Sequence, residues 1–299
     1  MPTPKVTKIG FIGLGQMGKH MAKNLMGEDV ELTVCARSRT QFASFREVGA
    51  NATDNVQHLA GCDIIFLSLP EDEAVKAVLT GEKGLLPVFT PGQMVVDFST
   101  ISYTATVELN AILAEKGVIF FDAPVSGMEA RAQEGTLSIM VGGPAKDLAR
   151  IEPYLKRIGN TILHMGPVGS GQLTKLINQL LFDINMAALA EVLPLAVKKG
   201  LNPKKVGQIV NSGTGRSYAS EFFIPQMLKN DFSAGYPMRH AYKDLISGAV
   251  IAAKEAIPMP VTMAAMVTYQ TALRKGYGSE DKGAMIKVYE ELLGVVYRT

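Results

Sequence analysis

From residue 8 to about residue 165, short apolar runs alternate with stretches of helical period. The runs KIGFIG (8–13), ELTVCA (31–36), DIIFLSL (63–69), MVVDFS (94–99), VIFFDAP (118–124) and LSIMVGG (137–143) are almost continuously apolar and rich in β-branched and aromatic residues, which predicts strands. Helical period over 16–26, 39–48, 72–79, 103–116 and 145–158 predicts the helices between them. Strands without a polar face, separated by helices, imply a parallel sheet covered on both sides, and right-handed crossovers make it doubly wound. The strand pattern stops at the breaker cluster Gly166-Pro-Val-Gly-Ser-Gly171. Beyond it a long helix is predicted over 172–199, stopped by Gly200 with Pro203 behind it. Further helices are predicted over 203–212, 218–230, 242–256, 260–275 and 280–293. The expected fold class is α/β: a doubly wound domain over 1–166 and an all-α domain over 167–299, joined by the long helix.

Composition changes this picture little. The 299 residues suffice for two such domains, and 47% hydrophobic against 19% charged residues describes a chain with a sizeable core. A net charge of +2, without a Lys/Arg block, lacks the electrostatic footprint of a nucleic-acid binder. Cys35 and Cys62 fall in apolar runs, where two buried thiols of a reducing compartment are expected rather than a disulfide. Neither they nor His20, His58, His164 and His240 show ligand spacing, so no metal site is expected. The segment 1–8 is short and polar and does not read as a secretion signal. No run of about 18 uncharged apolar residues occurs, and the most apolar long segment, 176–197, is interrupted by Asp183, Asn185 and Glu191. A cytoplasmic protein with no membrane span and no nucleic-acid partner is the expectation.

Candidate chemistry begins directly after the first strand, at Gly13-Leu14-Gly15-Gln16-Met17-Gly18. In this G-x-G-x-x-G the first glycine permits a tight turn, the second a close approach of backbone to a pyrophosphate, and the third close packing of helix on strand. Its setting between strand and helix at the chain start points to a dinucleotide and to a domain of Rossmann type. NAD-binding versions carry an acid about 20 residues on, at the end of the second strand, for the ribose 2′-hydroxyl. Here 32–40 reads LTVCARSRT and holds no acid. Arg37, Ser38 and Arg39 offer two cations and a hydroxyl there, which suits a 2′-phosphate. NADP is therefore the expected cofactor, with NAD bound more weakly.

Three later segments add polar groups. Asp122-Ala-Pro-Val-Ser126-Gly127 lies at the carboxyl end of a predicted strand, where doubly wound sheets place ligands. Gly169-Ser-Gly171-Gln-Leu-Thr-Lys175-Leu-Ile-Asn178 opens the long helix, and His240-Ala-Tyr-Lys243-Asp244 lies further on. With the helix starting near Gln172, Lys175, Asn178 and Gln179 share a face, and Lys175 stands in the first turn, where the helix dipole disfavours a cation.

With GFIGLGQMG, DAPVSG followed by GTLSIMVGG, GSGQLTKLINQ and the Lys243-Asp244 pair, the chain resembles the β-hydroxyacid dehydrogenase family over essentially its whole length. The stretch from Tyr236 to Asp244 is similar to the NADPH-dependent glyoxylate/succinic semialdehyde reductase branch. The resemblance implies Lys175 as catalytic acid/base, with Asn178 orienting it and the substrate oxygen. It implies substrate contacts at Ser126, Gly127, Met128, Thr100, Tyr236 and Asp244, and cofactor contacts at Leu69, Pro70, Thr100 and Lys243 beside the glycine turn and Arg37–Arg39. One departure stands out: Met128 takes a position where the family usually has a second glycine. Gln179 also replaces the Asn common after Asn178.

The implied reaction is hydride transfer between the nicotinamide and a small carboxylated aldehyde or hydroxy acid, with Lys175 protonating the forming alkoxide. The resemblance puts this site between the two domains and the protein in a homo-oligomer. Alternatives are a 3-hydroxyisobutyrate or tartronate semialdehyde enzyme, an imine reductase, and a non-catalytic NADP-binding interaction protein. The intact Lys175 argues against the last two.

Overall fold

The computed structural model describes residues 6–298, so residues 1–5 of the polar N-terminal segment lie outside the described residues. The first part of the chain lays down β1 (Thr7–Ile12), α1 (Gly18–Asn24), β2 (Val30–Cys35), α2 (Phe42–Arg46), β3 (Asn51–Thr53), β4 (Ile64–Leu67), α3 (Asp72–Thr80), β5 (Met94–Asp97), α4 (Tyr103–Glu115) and β6 (Ile119–Asp122). It continues through β7 (Val125–Ser126), α5 (Met128–Glu134), β8 (Leu137–Gly142), α6 (Leu148–Ile158) and β9 (Gly159–Gly166). The helical remainder is α7 (Ser170–Lys198), α8 (Pro203–Ser212), α9 (Tyr218–Lys229), α10 (Met238–Glu255), α11 (Pro260–Arg274) and α12 (Ile286–Leu293). The chain divides into two compact units, the first ending at Lys175 and the second beginning at Leu176.

In the first unit the strands lie in the order β3-β2-β1-β4-β5-β6, all parallel. The chain winds outward from β1 and then returns to its other side, so the switch point falls between β1 and β4. The apolar runs are buried on both faces: β4 and β5 are buried at every position, and Phe11, Phe66 and Phe98 stack with centroids 5.3–6.5 Å apart. The sheet does not stay parallel. β8 runs antiparallel to β6 and β7, and β9 runs parallel to β8. A short α5 between β7 and β8 returns the chain as a turn does, whereas a parallel partner needs a full crossover.

Four elements escaped the apolar pattern. β3 (Asn-Ala-Thr) and β9 (exposed or half-exposed after its first residue) are edge strands with little to bury, and β7 and α5 are short. The segment 39–48 opens as a single 3₁₀ turn because the Ser38 hydroxyl caps Thr40 N–H, and becomes α-helical only at Phe42.

The second unit packs α7 through α12 around one apolar core in which Tyr269 and Tyr297 are fully buried. By length and composition alone α7 is apolar enough to cross a membrane, and 44% of its most apolar window is buried in the protein. Its interrupting Asp183 is fully buried and ion-paired to Lys282.

Candidate active site

Strand register builds the site. Cys35 pairs with Ile12, Ile12 with Leu67, Leu67 with Asp97 and Asp97 with Asp122. The carboxyl ends of five strands therefore form one row. The segments that follow that row carry Arg37–Arg39, the glycine turn, Leu69 and Pro70, Thr100, and, in and just after β7, Ser126 with Gly127. The structure thus brings together the expected site residues of the first unit at the edge where a doubly wound sheet binds ligands.

The glycine turn fits a dinucleotide. Gly13 has φ +99°, and a Cβ there would lie 2.2 Å from Ser68 O, so only glycine fits. A Cβ on Gly18 would lie 2.0 Å from Gly13 O, which is the close helix-to-strand approach expected of the third glycine. At Gly15 an added Cβ meets nothing within 4 Å, which leaves open space where a pyrophosphate approaches the backbone. The Gln16 side chain turns away to Glu129, donating from Nε2 to Oε2 at 2.8 Å. Lys19 and His20 join the same carboxylate, and these partners hold it down to about 2, led by Lys19. Glu129 thereby ties the first helix to the segment after Ser126, a link between residues 109 to 113 apart that no local pattern announces.

At the end of β2, Arg37 is exposed and makes no ion pair among the described residues. Arg39 donates from Nε and Nη2 to Asp54 Oδ2 at 3.0 and 2.6 Å. The Ser38 hydroxyl lies 2.7 Å from that of Thr40. An acid therefore does stand near this corner, contributed by the segment after β3 rather than by β2.

Lys175 lies on α7, and the helix begins two residues earlier than expected. Asp122 is the cause: Oδ1 accepts from Gly169 N at 2.7 Å and Oδ2 from Gln172 N at 2.8 Å, satisfying amides that open the helix. Lys175 therefore sits in the second turn, past the strongest part of the dipole, and is 8% exposed. The Gln172 side chain reaches the loop around Thr100, donating to Ser99 O at 2.6 Å and accepting from Ile101 N at 3.3 Å. Ser99 Oγ accepts from Leu69 N at 2.8 Å, which joins this loop to the end of β4. Asp97 is fully buried; Oδ1 accepts from Ser99 N, while Oδ2 has no partner among the described residues. Burial pushes its carboxyl up to about 7. Burial also raises Asp122, against the pull of the helix amides.

Among the expected residues of the second unit, Asn178 and Asp244 are joined through Gln179. Gln179 Nε2 donates to Asp244 Oδ2 at 3.2 Å, tying α7 to α10, and Asn178 Nδ2 reaches Gln179 Oε1 at 3.4 Å. Asp244 is buried; Lys243 beside it is half-buried. Tyr236 is exposed, its ring 5.4 Å from that of His240. No group of three metal-ligating side chains occurs among the described residues.

Met128 carries strain. It has φ +62°, one of three non-glycine residues with positive φ among those described, and follows Gly127 at φ +143°. A left-handed L-residue costs roughly 1–2 kcal/mol. Met128→Gly should therefore stabilise the protein by about 0.5–1 kcal/mol, since glycine's extra unfolded-state freedom takes back roughly 0.4–1 kcal/mol. Urea unfolding checks this; a lower midpoint for the glycine variant would mean that contacts of the Met side chain outweigh the strain.

Comparison with known proteins agrees with this geometry. Residues 8–166 match the NAD binding domain of 6-phosphogluconate dehydrogenase, and residues 169–289 match the NAD-binding of NADP-dependent 3-hydroxyisobutyrate dehydrogenase. The 2-(hydroxymethyl)glutarate dehydrogenase of Eubacterium barkeri is 41% identical over 294 residues, 97% of each chain. The 2-hydroxy-3-oxopropionate reductase of Escherichia coli is 34% identical over 95% of this chain and 97% of its own. A crystal structure of 3-hydroxyisobutyrate dehydrogenase from Salmonella typhimurium superposes with a TM-score of 0.85 at 26% identity, covering 94% of this chain and 99% of that one. Fold, glycine turn and relatives together define an NAD(P)-dependent oxidoreductase acting on CH–OH groups. Within that class, the chain belongs to the β-hydroxyacid dehydrogenase family.

Proposed function

We propose that the protein is an NADP-preferring reductase of small carboxylated aldehydes such as glyoxylate or succinic semialdehyde, working as a homo-oligomer in the cytoplasm. The observation that carries the reading is the buried Lys175, one turn beyond the point where Asp122 and Gln172 fasten α7 to the loop bearing Thr100. Bound NADPH supplies the hydride. Lys175, as an ammonium, donates a hydrogen bond to the aldehyde oxygen and gives up its proton as that oxygen becomes a hydroxyl; in the reverse direction it takes the proton back. Ser126 and the backbone around Gly127 hold the substrate carboxylate, and Asn178, three residues after Lys175 on α7, assists at the reacting oxygen.

The cofactor preference rests on Arg37. Its exposed guanidinium, at the end of β2 where 32–40 hold no acid, is free to meet a 2′-phosphate, whereas Arg39 must first leave Asp54. Arg37→Asp with Arg39→Ala should raise KM for NADPH by roughly 10- to 100-fold, the worth of a charged hydrogen bond or two, with little change for NADH. Equal effects on both cofactors would remove the NADP assignment.

A second substrate reading draws on the 41% identity to 2-(hydroxymethyl)glutarate dehydrogenase, whose named substrate is likewise a carboxylated hydroxy compound. Rates with glyoxylate, succinic semialdehyde, tartronate semialdehyde and methylmalonate semialdehyde, and in reverse with 2-(hydroxymethyl)glutarate, separate these readings. Turnover of the glutarate alone would replace the semialdehyde assignment, and a flat response to all five would sink both.

A further inference from the structure

Gln172 makes a set of contacts out of proportion to a helix-opening residue. It is 2% exposed and belongs to the first turn of α7. Its backbone N–H is held by Asp122, itself fully buried at the end of β6. Its amide brackets Thr100 by taking the carbonyl of the residue before and the N–H of the residue after. One side chain thereby treats the loop as a neighbouring strand would. A buried amide is tolerated only when both ends are satisfied, and here both ends are satisfied by a single three-residue loop. That loop is in turn fixed at Ser99, whose N–H donates to Asp97 and whose hydroxyl accepts from Leu69 N–H. On the helical side, Gln172 and Lys175 are three residues apart and face the same way.

We propose that Gln172, seated by Asp122, is a positioning residue that sets the distance between Lys175 and the Thr100 loop, and so the alignment of proton donor, substrate and cofactor. This rests on the reading of Lys175 as acid/base. The clamp spans the two segments that must stay in register during turnover, and it consists of hydrogen bonds with fixed partners rather than of apolar contacts that can slide. A misplacement of about 1 Å in such a site costs on the order of 100-fold in rate, without loss of binding.

Two variants of near-equal length test this. Gln172→Met removes both amide bonds. Gln172→Glu keeps the acceptor for Ile101 N–H but turns an oxygen against Ser99 O, and it holds the test if the Met variant folds poorly. With the fastest aldehyde of the panel above, both should lower kcat by roughly 10- to 100-fold while the dissociation constant of NADPH stays unchanged. Deuterium at the transferred position of NADPH should then slow kcat more than in the parent, because hydride transfer has become limiting. Acidification should restore part of the Glu variant's rate, as the protonated acid regains a donor for Ser99 O. Independently of turnover, the Ile101 amide should exchange with solvent faster in the Met variant. Unchanged kcat and isotope effect per folded molecule, or a loss confined to NADPH binding, overturns the proposal. Lys175→Met, assayed alongside, keeps the two ideas apart. If that variant still turns over, the acid/base reading falls, while faster Ile101 exchange still reports the clamp.

Discussion

Lys175→Met should lower kcat by about 10³-fold, within the range of 10²- to 10⁴-fold that a positioned proton donor supplies, and leave NADPH binding intact. Met is close to Lys in length and fills an 8% exposed position with apolar volume, so the packing around residue 175 is kept. The dinucleotide turn lies at the end of β1, on a different element from α7, and its glycines keep their fit whatever stands at residue 175. The substitution therefore isolates the chemical step. Stopped-flow NADPH binding and steady-state turnover on the same preparation check it. A variant that binds NADPH and still reduces the aldehyde at near-parent rate would remove Lys175 from the reaction. One that loses NADPH binding would make it a cofactor contact instead.

What the chain reveals before folding depends on how far apart the interacting residues lie. The six long apolar runs became β1, β2, β4, β5, β6 and β8 because each needs only its own residues to announce burial on two faces. The glycine turn is likewise local, and its three glycines behave as their spacing implies. Direction is not local. LSIMVGG reads the same whether β8 runs with β6 or against it, and the short return through α5 decides the matter. α7 starts two residues before its predicted position for the same reason: its capping carboxylate, Asp122, comes from 47 to 50 residues upstream. In sequence Arg39 reads as a free cation, because its partner Asp54 stands after another strand. Asp122 and Gln172 were visible only as letters within motifs that drew attention to Ser126 and Lys175. An acid at a strand end and a glutamine opening an apolar helix are the signals that could have marked them.

Asp183 shows the same limit with the largest consequence for stability. In sequence it merely interrupts an apolar segment; in the structure its Oδ1 accepts from Lys282 Nζ and, at 2.9 Å, from the hydroxyl of Tyr269, while Oδ2 is buried with no partner among the described residues. Lys282 is itself 2% exposed, its ammonium 4.2 Å from the centroid of the Phe182 ring. Removing one member of a buried pair strands the other, at a cost of about 3–5 kcal/mol. Lys282→Met is therefore expected to lose stability on that scale at pH 7. Burial already raises the Asp183 carboxyl above its ordinary value even with Lys282 in place, and loss of that cation raises it further. A carboxyl raised in the folded state favours the native fold when protonated and penalises it as pH rises through its folded value. The Lys282→Met variant should thus regain stability as pH falls from 7 towards 5. Adding Asp183→Asn should restore most of the loss at pH 7, because a neutral amide keeps an oxygen for Tyr269 and leaves no charge behind. Urea unfolding of the three proteins at both pH values checks the argument. A single variant as stable as the parent would show that the pair adds nothing to the fold of the helical unit, and a double variant no better than the single would show that a stranded carboxylate is not what the substitution costs.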